Sequence, residues 1–313
     1  MYLSLKFKYL ISRVLPHWTR ELIKNYLKAR RIKKNDSVKE RLKNLEKIIA
    51  FNFPIDKVPP ATGKLRLLQE GNSALLALFA KKCKDSNLNY WLDYGTLLGA
   101  VRHKGFIPWD DDLDVSMPRK DFDVLLQKLP ELFPAENGFT WKLHVFLQIG
   151  YKDSPLNIDI YPYHYYCESL TSTNKDAINA AISRFKKSVV LITPQVNYTD
   201  SEIQEKIAKE ILQGKPALDA AESPAIFLSP AIEFTKNTVL SYDDIFPLKK
   251  MTFEGVEYNI PNHSRQYLQF FYGDYMSYPS TLAYKHPSVE HMVKHVPFED
   301  SVNQFIDTYG TST

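Results

Sequence analysis

Four carboxylates fall within five residues at Asp110-Asp111-Asp112-Leu113-Asp114. In an extended segment side chains alternate, so Asp110, Asp112 and Asp114 are expected to project together, with Asp111 turned away and Leu113 and Val115 entering the opposite layer. Such a face repels itself unless a cation neutralises it, and hard oxygen donors suit Mg²⁺ or Mn²⁺, ions that also hold phosphate oxygens. Upstream, Gly95-Thr96 stands where a strand would turn into a helix, a place where backbone amides approach a phosphate. Arg102, His103 and Lys104 add three donors before the acids. Together these residues predict a cation-bridged diphosphate site in which basic side chains steady a leaving group. A further carboxylate on another strand would complete it, and Asp159, between Ile158 and Ile160, has that placement.

The elements that must position these groups are legible in outline. Leu65, Leu68, Leu75, Leu76, Leu78 and Phe79 recur at mostly helical spacing between Lys64 and Lys84, although Gly71 and Asn72 interrupt the middle. Tyr90 to Asp93 reads as a short strand, Gly95-Thr96 as a turn into a helix, and Ile107 to Met117 as a loop entering a strand. Trp141 to Ile149 and Leu156 to Tyr161 read as two further strands; in the second, Leu156, Ile158 and Ile160 share one face and Asn157, Asp159 and Tyr161 the other. Helices are expected over 174–190 and between a capping box at Thr199 and Glu202 and a stop at Gly214. Another, capped by Asn262, should end at Gly273. Beyond Asp300 the pattern fades into a polar tail.

The run from Tyr90 to Val115, YWLDYGTLLGAVRHKGFIPWDDDLDV, resembles the signature of the LicD and fukutin family, a branch of the nucleotidyltransferase-fold superfamily. Met117–Phe122, Ile158–Pro162, Asp244–Lys249, Phe253–Gly255 and Tyr272–Met276 with Pro279 extend the resemblance over residues 64 to 280. It implies an α+β fold, a nucleotidyltransferase-like mixed β-sheet flanked by helices, with helical additions at both ends. Four segments are expected: a basic arm and Pro-rich linker over 1–63, a catalytic core over 64–165, a mainly helical part over 166–300 completing the substrate pocket, and a tail over 301–313. The superfamily's Gly-Ser, Asp-x-Asp and third acid would map onto Gly95-Thr96, Asp112 with Asp114, and Asp159, with Asp110 in support of the metal. The implied activity is metal-dependent transfer of a phospho-alcohol, phosphocholine or a phospho-alditol, from a CDP-linked donor to a hydroxyl of a glycan or lipid-linked glycan, releasing CMP. Such glycans include lipopolysaccharide, capsule and teichoic acid. Some eukaryotic relatives add a cysteine-based zinc site, which a chain with only Cys83 and Cys167 does not reproduce.

Composition bounds the rest. Hydrophobic residues at 44% and charged residues at 24% exclude disorder and fibre. No apolar run approaches the ~18 residues of a membrane span, and Lys6, Lys8 and Arg13 interrupt the N-terminal segment, so a cytoplasmic protein is expected. Residues 1–47 hold 14 Lys+Arg against 4 Asp+Glu, a net of +10, which leaves −6 for the remainder. Interleaved apolar residues make this arm amphipathic, and it is expected either to lie peripherally on the anionic inner face of a membrane or to pack on its own domain. An acidic body is a poor surface for nucleic acid, so no nucleic-acid partner is expected. Two rival functions are a nucleotidylyltransferase that uses a nucleoside triphosphate and releases pyrophosphate, and a non-catalytic membrane- or nucleic-acid-binding protein. His286, His291 and His295 read as ordinary surface histidines rather than ligands. Of the aromatic residues, Tyr161, Tyr163, Tyr165 and Tyr166 are the candidates to line a donor pocket, stacking a base or boxing a cationic head group.

Overall fold

The structure is a computed structural model that describes residues 36–143, 146–152, 154–166, 226–228, 239–279 and 298–310. The helices expected over 174–190 and 199–214, the three histidines, Cys167, the side chains of Tyr165 and Tyr166, and residues 1–35 of the basic arm lie outside the described residues.

The chain runs through α1 (Asp36–Asn52), a 3₁₀ turn (Ile55–Lys57) and α2 (Gly63–Asp85), then β1 (Trp91–Leu92), α3 (Tyr94–His103), β2 (Asp114–Pro118) and α4 (Arg119–Leu132). It continues through β3 (Phe139–Leu143), β4 (Leu147–Tyr151) and β5 (Asn157–Tyr166), followed by the short β6 (Ile226–Leu228), β7 (Val239–Ser241) and α5 (Tyr242–Ile245). A hairpin of β8 (Lys249–Phe253) and β9 (Val256–Ile260) precedes α6 (Ser264–Tyr272) and α7 (Phe298–Tyr309). The main sheet has the order β1-β2-β5-β4-β3, and β6 with β7 extends it from β5. Only β2 and β5 of this path run parallel; the other neighbours are antiparallel. This is the expected mixed sheet flanked by helices.

The alternation in β5 is realised. Leu156, Ile158 and Ile160 are buried, at 1% exposure or less, while Asn157 and Asp159 on the other face are only half-buried. Helix α2 continues through Gly71, a position where a side chain has no room: a Cβ would meet Leu156 Cδ2 at 2.6 Å and Val302 Cγ1 at 2.7 Å. The helix loses some propensity and gains close approach to β5 and α7.

Three expectations are corrected. The segment read as one strand from Trp141 to Ile149 is the hairpin of β3 and β4, with Trp141 paired to Ile149 itself. Its apolar alternation continues across the turn with no Gly or Pro to mark it. The polar tail is helix α7, whose Phe298, Val302 and Phe305 are buried against α2. These residues are at helical spacing, and the polar residues between them form the outer face. Finally, α6 stops before Gly273 as expected, at φ 68°, but its N-cap is His263; Asn262 instead donates through Nδ2 to Asp243 O at 2.9 Å and Phe246 O at 3.2 Å.

Candidate active site

The site forms where α3, the loop 104–113, β2 and β5 meet. Helix α3 starts at a buried carboxylate. Asp93 is fully buried and caps the helix, accepting from Tyr94 N at 2.7 Å, from Ser116 Oγ at 2.5 Å and from the Tyr267 hydroxyl at 2.5 Å. The Tyr163 and Tyr267 hydroxyls are themselves 2.8 Å apart. Burial raises the Asp93 pKa to about 6 against the opposing pull of these donors, and burial together with the Asp93 charge keeps both phenols protonated. Tyr163 is therefore committed to this network, not to a donor pocket. Tyr94 adopts φ 42°, a left-handed conformation unusual for an aromatic residue, held by its bond to Asp93.

This start aims Gly95 and Thr96 at the acids. Thr96 Oγ1 accepts from Asp114 N at 2.8 Å and so pins the first residue of β2 to α3. A Cβ on Gly95 would meet Asp110 Oδ2 at 2.8 Å and Asp114 Oδ2 at 3.7 Å, so both carboxylates converge on a position that only glycine leaves open. Across the sheet, Asp114 is in register with Asp159 in the parallel β2–β5 pair, on the same face. Gln148 Nε2 donates to Asp159 Oδ1 at 2.8 Å from the cross-strand position on β4.

Regular strand begins only at Asp114 and residues 110–113 form a loop, yet burial alternates as expected, with Asp111 and Leu113 buried and Asp110, Asp112 and Asp114 half-buried. Even so, one oxygen each from Asp110, Asp111 and Asp112 lie within 4.8 Å of one another, so the buried Asp111 reaches the cluster as well. The loop is held from behind by two buried amides of α2. Gln69 Nε2 donates to Asp110 O at 2.9 Å and Asn72 Nδ2 to Asp111 O at 3.2 Å, while Asn72 Oδ1 accepts from Asn157 N at 3.3 Å.

Electrostatically the cluster is frustrated. Burial and the neighbouring Asp112 and Asp111 hold the Asp110 pKa well above the carboxylate range; burial with Asp112, Asp159 and Asp110 does the same for Asp114. An all-oxygen donor set of this density fits a hard divalent cation, with no soft ligand in it.

The basic residues divide. Arg102 is buried, donates from Nη1 to Tyr275 O at 2.7 Å and from Nε to His103 Nε2 at 3.0 Å, and feels the Asp110 charge. Burial lowers its pKa to about 10, which leaves it charged at neutral pH. His103, which accepts that bond, is driven to about 4 by burial and then by Arg102, so it is a neutral prop for Arg102 instead of a cation. Lys104 is exposed at the C-cap of α3 with φ 59°, and its carbonyl accepts from Glu254 N at 3.0 Å; no ion pair among the described residues involves its ammonium.

Glu254, at the tip of the β8–β9 hairpin, clamps the same loop, accepting from Phe106 N at 3.1 Å and from Arg66 Nη2 at 2.8 Å. A Cβ at Gly105 would fall 2.3 Å from its Oε1. Asp93 carries a local signal that sequence reading passed over, an acid at the N-cap position before a helix. Gln69, Asn72 and Gln148 carry none, since their partners are remote along the chain, and Glu254 stands out only within the Phe253–Gly255 stretch of the family resemblance, with no sign of its partners.

A mixed sheet with a Gly-Thr helix start, an acidic loop feeding one strand and a further acid on its parallel neighbour is consistent with a nucleotidyltransferase-like domain. Residues 87–202 match the family described as LicD/FKTN/FKRP, nucleotidyltransferase domain. It is 26% identical over 241 residues to the lipopolysaccharide cholinephosphotransferase LicD of Haemophilus influenzae, a match covering 66% of this chain and 88% of that protein. It is 34% identical over 86 residues to the human ribitol 5-phosphate transferase FKRP, covering 25% of this chain and 17% of that protein. An uncharacterized protein of Rickettsia prowazekii is 54% identical over 55 residues, 18% of this chain and 20% of that one.

Proposed function

We propose that this protein transfers a phospho-alcohol group from a CDP-linked donor to a glycan hydroxyl and releases CMP. The observation that carries the reading is the convergence of Asp110 and Asp114 on Gly95, with Asp159 in register beside Asp114. Asp110, Asp112, Asp114 and Asp159 would hold a divalent cation such as Mg²⁺ or Mn²⁺, with Asp111 adjoining. When bound, that ion supplies charge neutralisation for the phosphate oxygens. The relatives support the class of reaction, since one is named for cholinephosphate transfer and another for ribitol 5-phosphate transfer.

Within this reading each residue has a defined task. The bare backbone at Gly95, at the start of α3, lets the diphosphate approach the helix N-terminus. Asp159, oriented by Gln148, accepts the proton of the acceptor hydroxyl as its oxygen attacks the phosphorus that bears the alcohol. The bond from that phosphorus to the CMP oxygen breaks in line, and Arg102, fixed by Tyr275 O and neutral His103, meets the charge on the leaving CMP.

The test is to incubate the protein with Mg²⁺ or Mn²⁺, CDP-choline or CDP-ribitol and a glycan acceptor, and in parallel with CTP or ATP. CMP formed only with a CDP-alcohol supports the reading. Pyrophosphate formed from a triphosphate, with no CMP from either CDP-alcohol, replaces it with nucleotidylyl transfer.

A further inference from the structure

The outward face of α1 carries cationic and large apolar side chains together. Lys43 and Lys47 are exposed along it, and so are Ile48, at 57%, and Phe51, at 86%, with Glu40 an exposed acid one turn earlier on the same side. Residues 41, 42, 45 and 49 form the less exposed side of the same helix, so Ile48 and Phe51 are not its packing face. A third exposed apolar residue comes from far along the chain. The Tyr278 hydroxyl donates to Phe53 O at 2.8 Å and brings the segment containing Met276, 49% exposed, beside the C-terminal end of α1.

We infer that Lys43, Lys47, Ile48, Phe51 and Met276 form a docking face for an anionic lipid surface. The sequence expectation placed membrane contact on residues 1–47; the face argued here adds an apolar anchor beyond them, from two separate segments. Charge selects the occupant. Residues 1–35, which precede α1 in the sequence, hold 10 Lys+Arg against a single Glu. A second copy would bring the same lysines against themselves, whereas an anionic bilayer meets them with opposite charge and accepts the three apolar side chains at the level of its headgroups. The face is also tied to the candidate site, because Tyr275, in the segment that carries Met276, accepts from Arg102. Docking would set the site at a fixed orientation to the surface.

Flotation of the full chain with vesicles tests this without any measurement of turnover, so it stands or falls independently of the proposed reaction. Vesicles of phosphatidylglycerol and phosphatidylcholine in equal parts should carry the protein, and pure phosphatidylcholine should not. The double variant Ile48→Ser/Phe51→Ser should weaken partition by about tenfold or more at low and high salt alike, because it removes apolar burial. Lys43→Gln/Lys47→Gln should weaken it about fivefold per lysine at low salt, with the difference fading as salt rises. Phe51→Trp should retain binding. These residues are exposed, so the melting temperatures should match the parent's and serve as the folding control. Partition unchanged in the serine variant, or equal partition onto both vesicle types, overturns the inference. A dimer of the parent chain that the serine variant converts to monomer would also overturn it, assigning the face to a second copy.

Discussion

Asp93 and Asp114 are neighbours, joined by a backbone hydrogen bond of 3.1 Å from Asp93 N to Asp114 O, yet their carboxylates live in opposite circumstances. Asp93 is buried more deeply and is met by three protein donors, and its pKa rises only to about 6. Asp114 retains some contact with solvent, but Asp112, Asp159 and Asp110 all press on it and its pKa rises well above the ordinary value. Burial is shared; the donors are not. One acid is met by protein donors and anchors the fold, while the other stands among carboxylates that oppose its charge.

Substitution should separate the two roles most sharply in turnover. Asp112→Asn and Asp114→Asn should each lower activity by about a thousandfold or more, the loss of several kcal/mol of charge stabilisation in the transition state. Neither should unfold the protein, since each relieves like-charge repulsion. Added Mg²⁺ or Mn²⁺ should raise the melting temperature of the parent and do so less in these variants, measured by thermal scans with and without chelator. Full activity in either variant would sink the assignment of the cluster to a cation.

Asp93→Asn should show the converse. An amide supplies one acceptor where the carboxylate served three donors, so stability should fall by about 1–3 kcal/mol. The stabilisation by Mg²⁺ or Mn²⁺ should survive in the folded fraction. Denaturant titration measures the first quantity and metal-dependent melting the second. A variant as stable as the parent would mean that Asp93 is not the anchor of α3.

The smallest effect is expected at His103 and appears only with pH. Its folded pKa, about 4, lies below the ordinary 6.5, so the unfolded chain takes up a proton first. The associated stability is complete above about pH 6.5 and is lost as pH falls towards 4. The stability difference between His103→Gln and the parent should therefore shift in favour of the variant across that window, and remain constant above it. A difference that does not change with pH would show that His103 is solvated and no prop for Arg102.

What the sequence by itself determined is what depends on near neighbours. Alternation in Asn157–Tyr161 specified the face that carries Asp159, and a break before Gly95 specified the helix start that meets the acids. The acids themselves were legible as a cluster because they are contiguous. The arrangement within that cluster was not. Asp110–Leu113 is a loop, braced by Gln69 and Asn72 from α2, about 40 residues away, and Asp111 lies close to its neighbours there. The β3–β4 hairpin was hidden because alternation is identical on both arms and says nothing about where a chain reverses. Glu254 lies 148 residues from the amide it holds, and Tyr267 lies 174 from the carboxylate it serves. Periodicity records only which way a side chain points along its own element; which remote donor comes to meet it is decided when the elements pack, and here that decision separated a structural acid from those available to a cation.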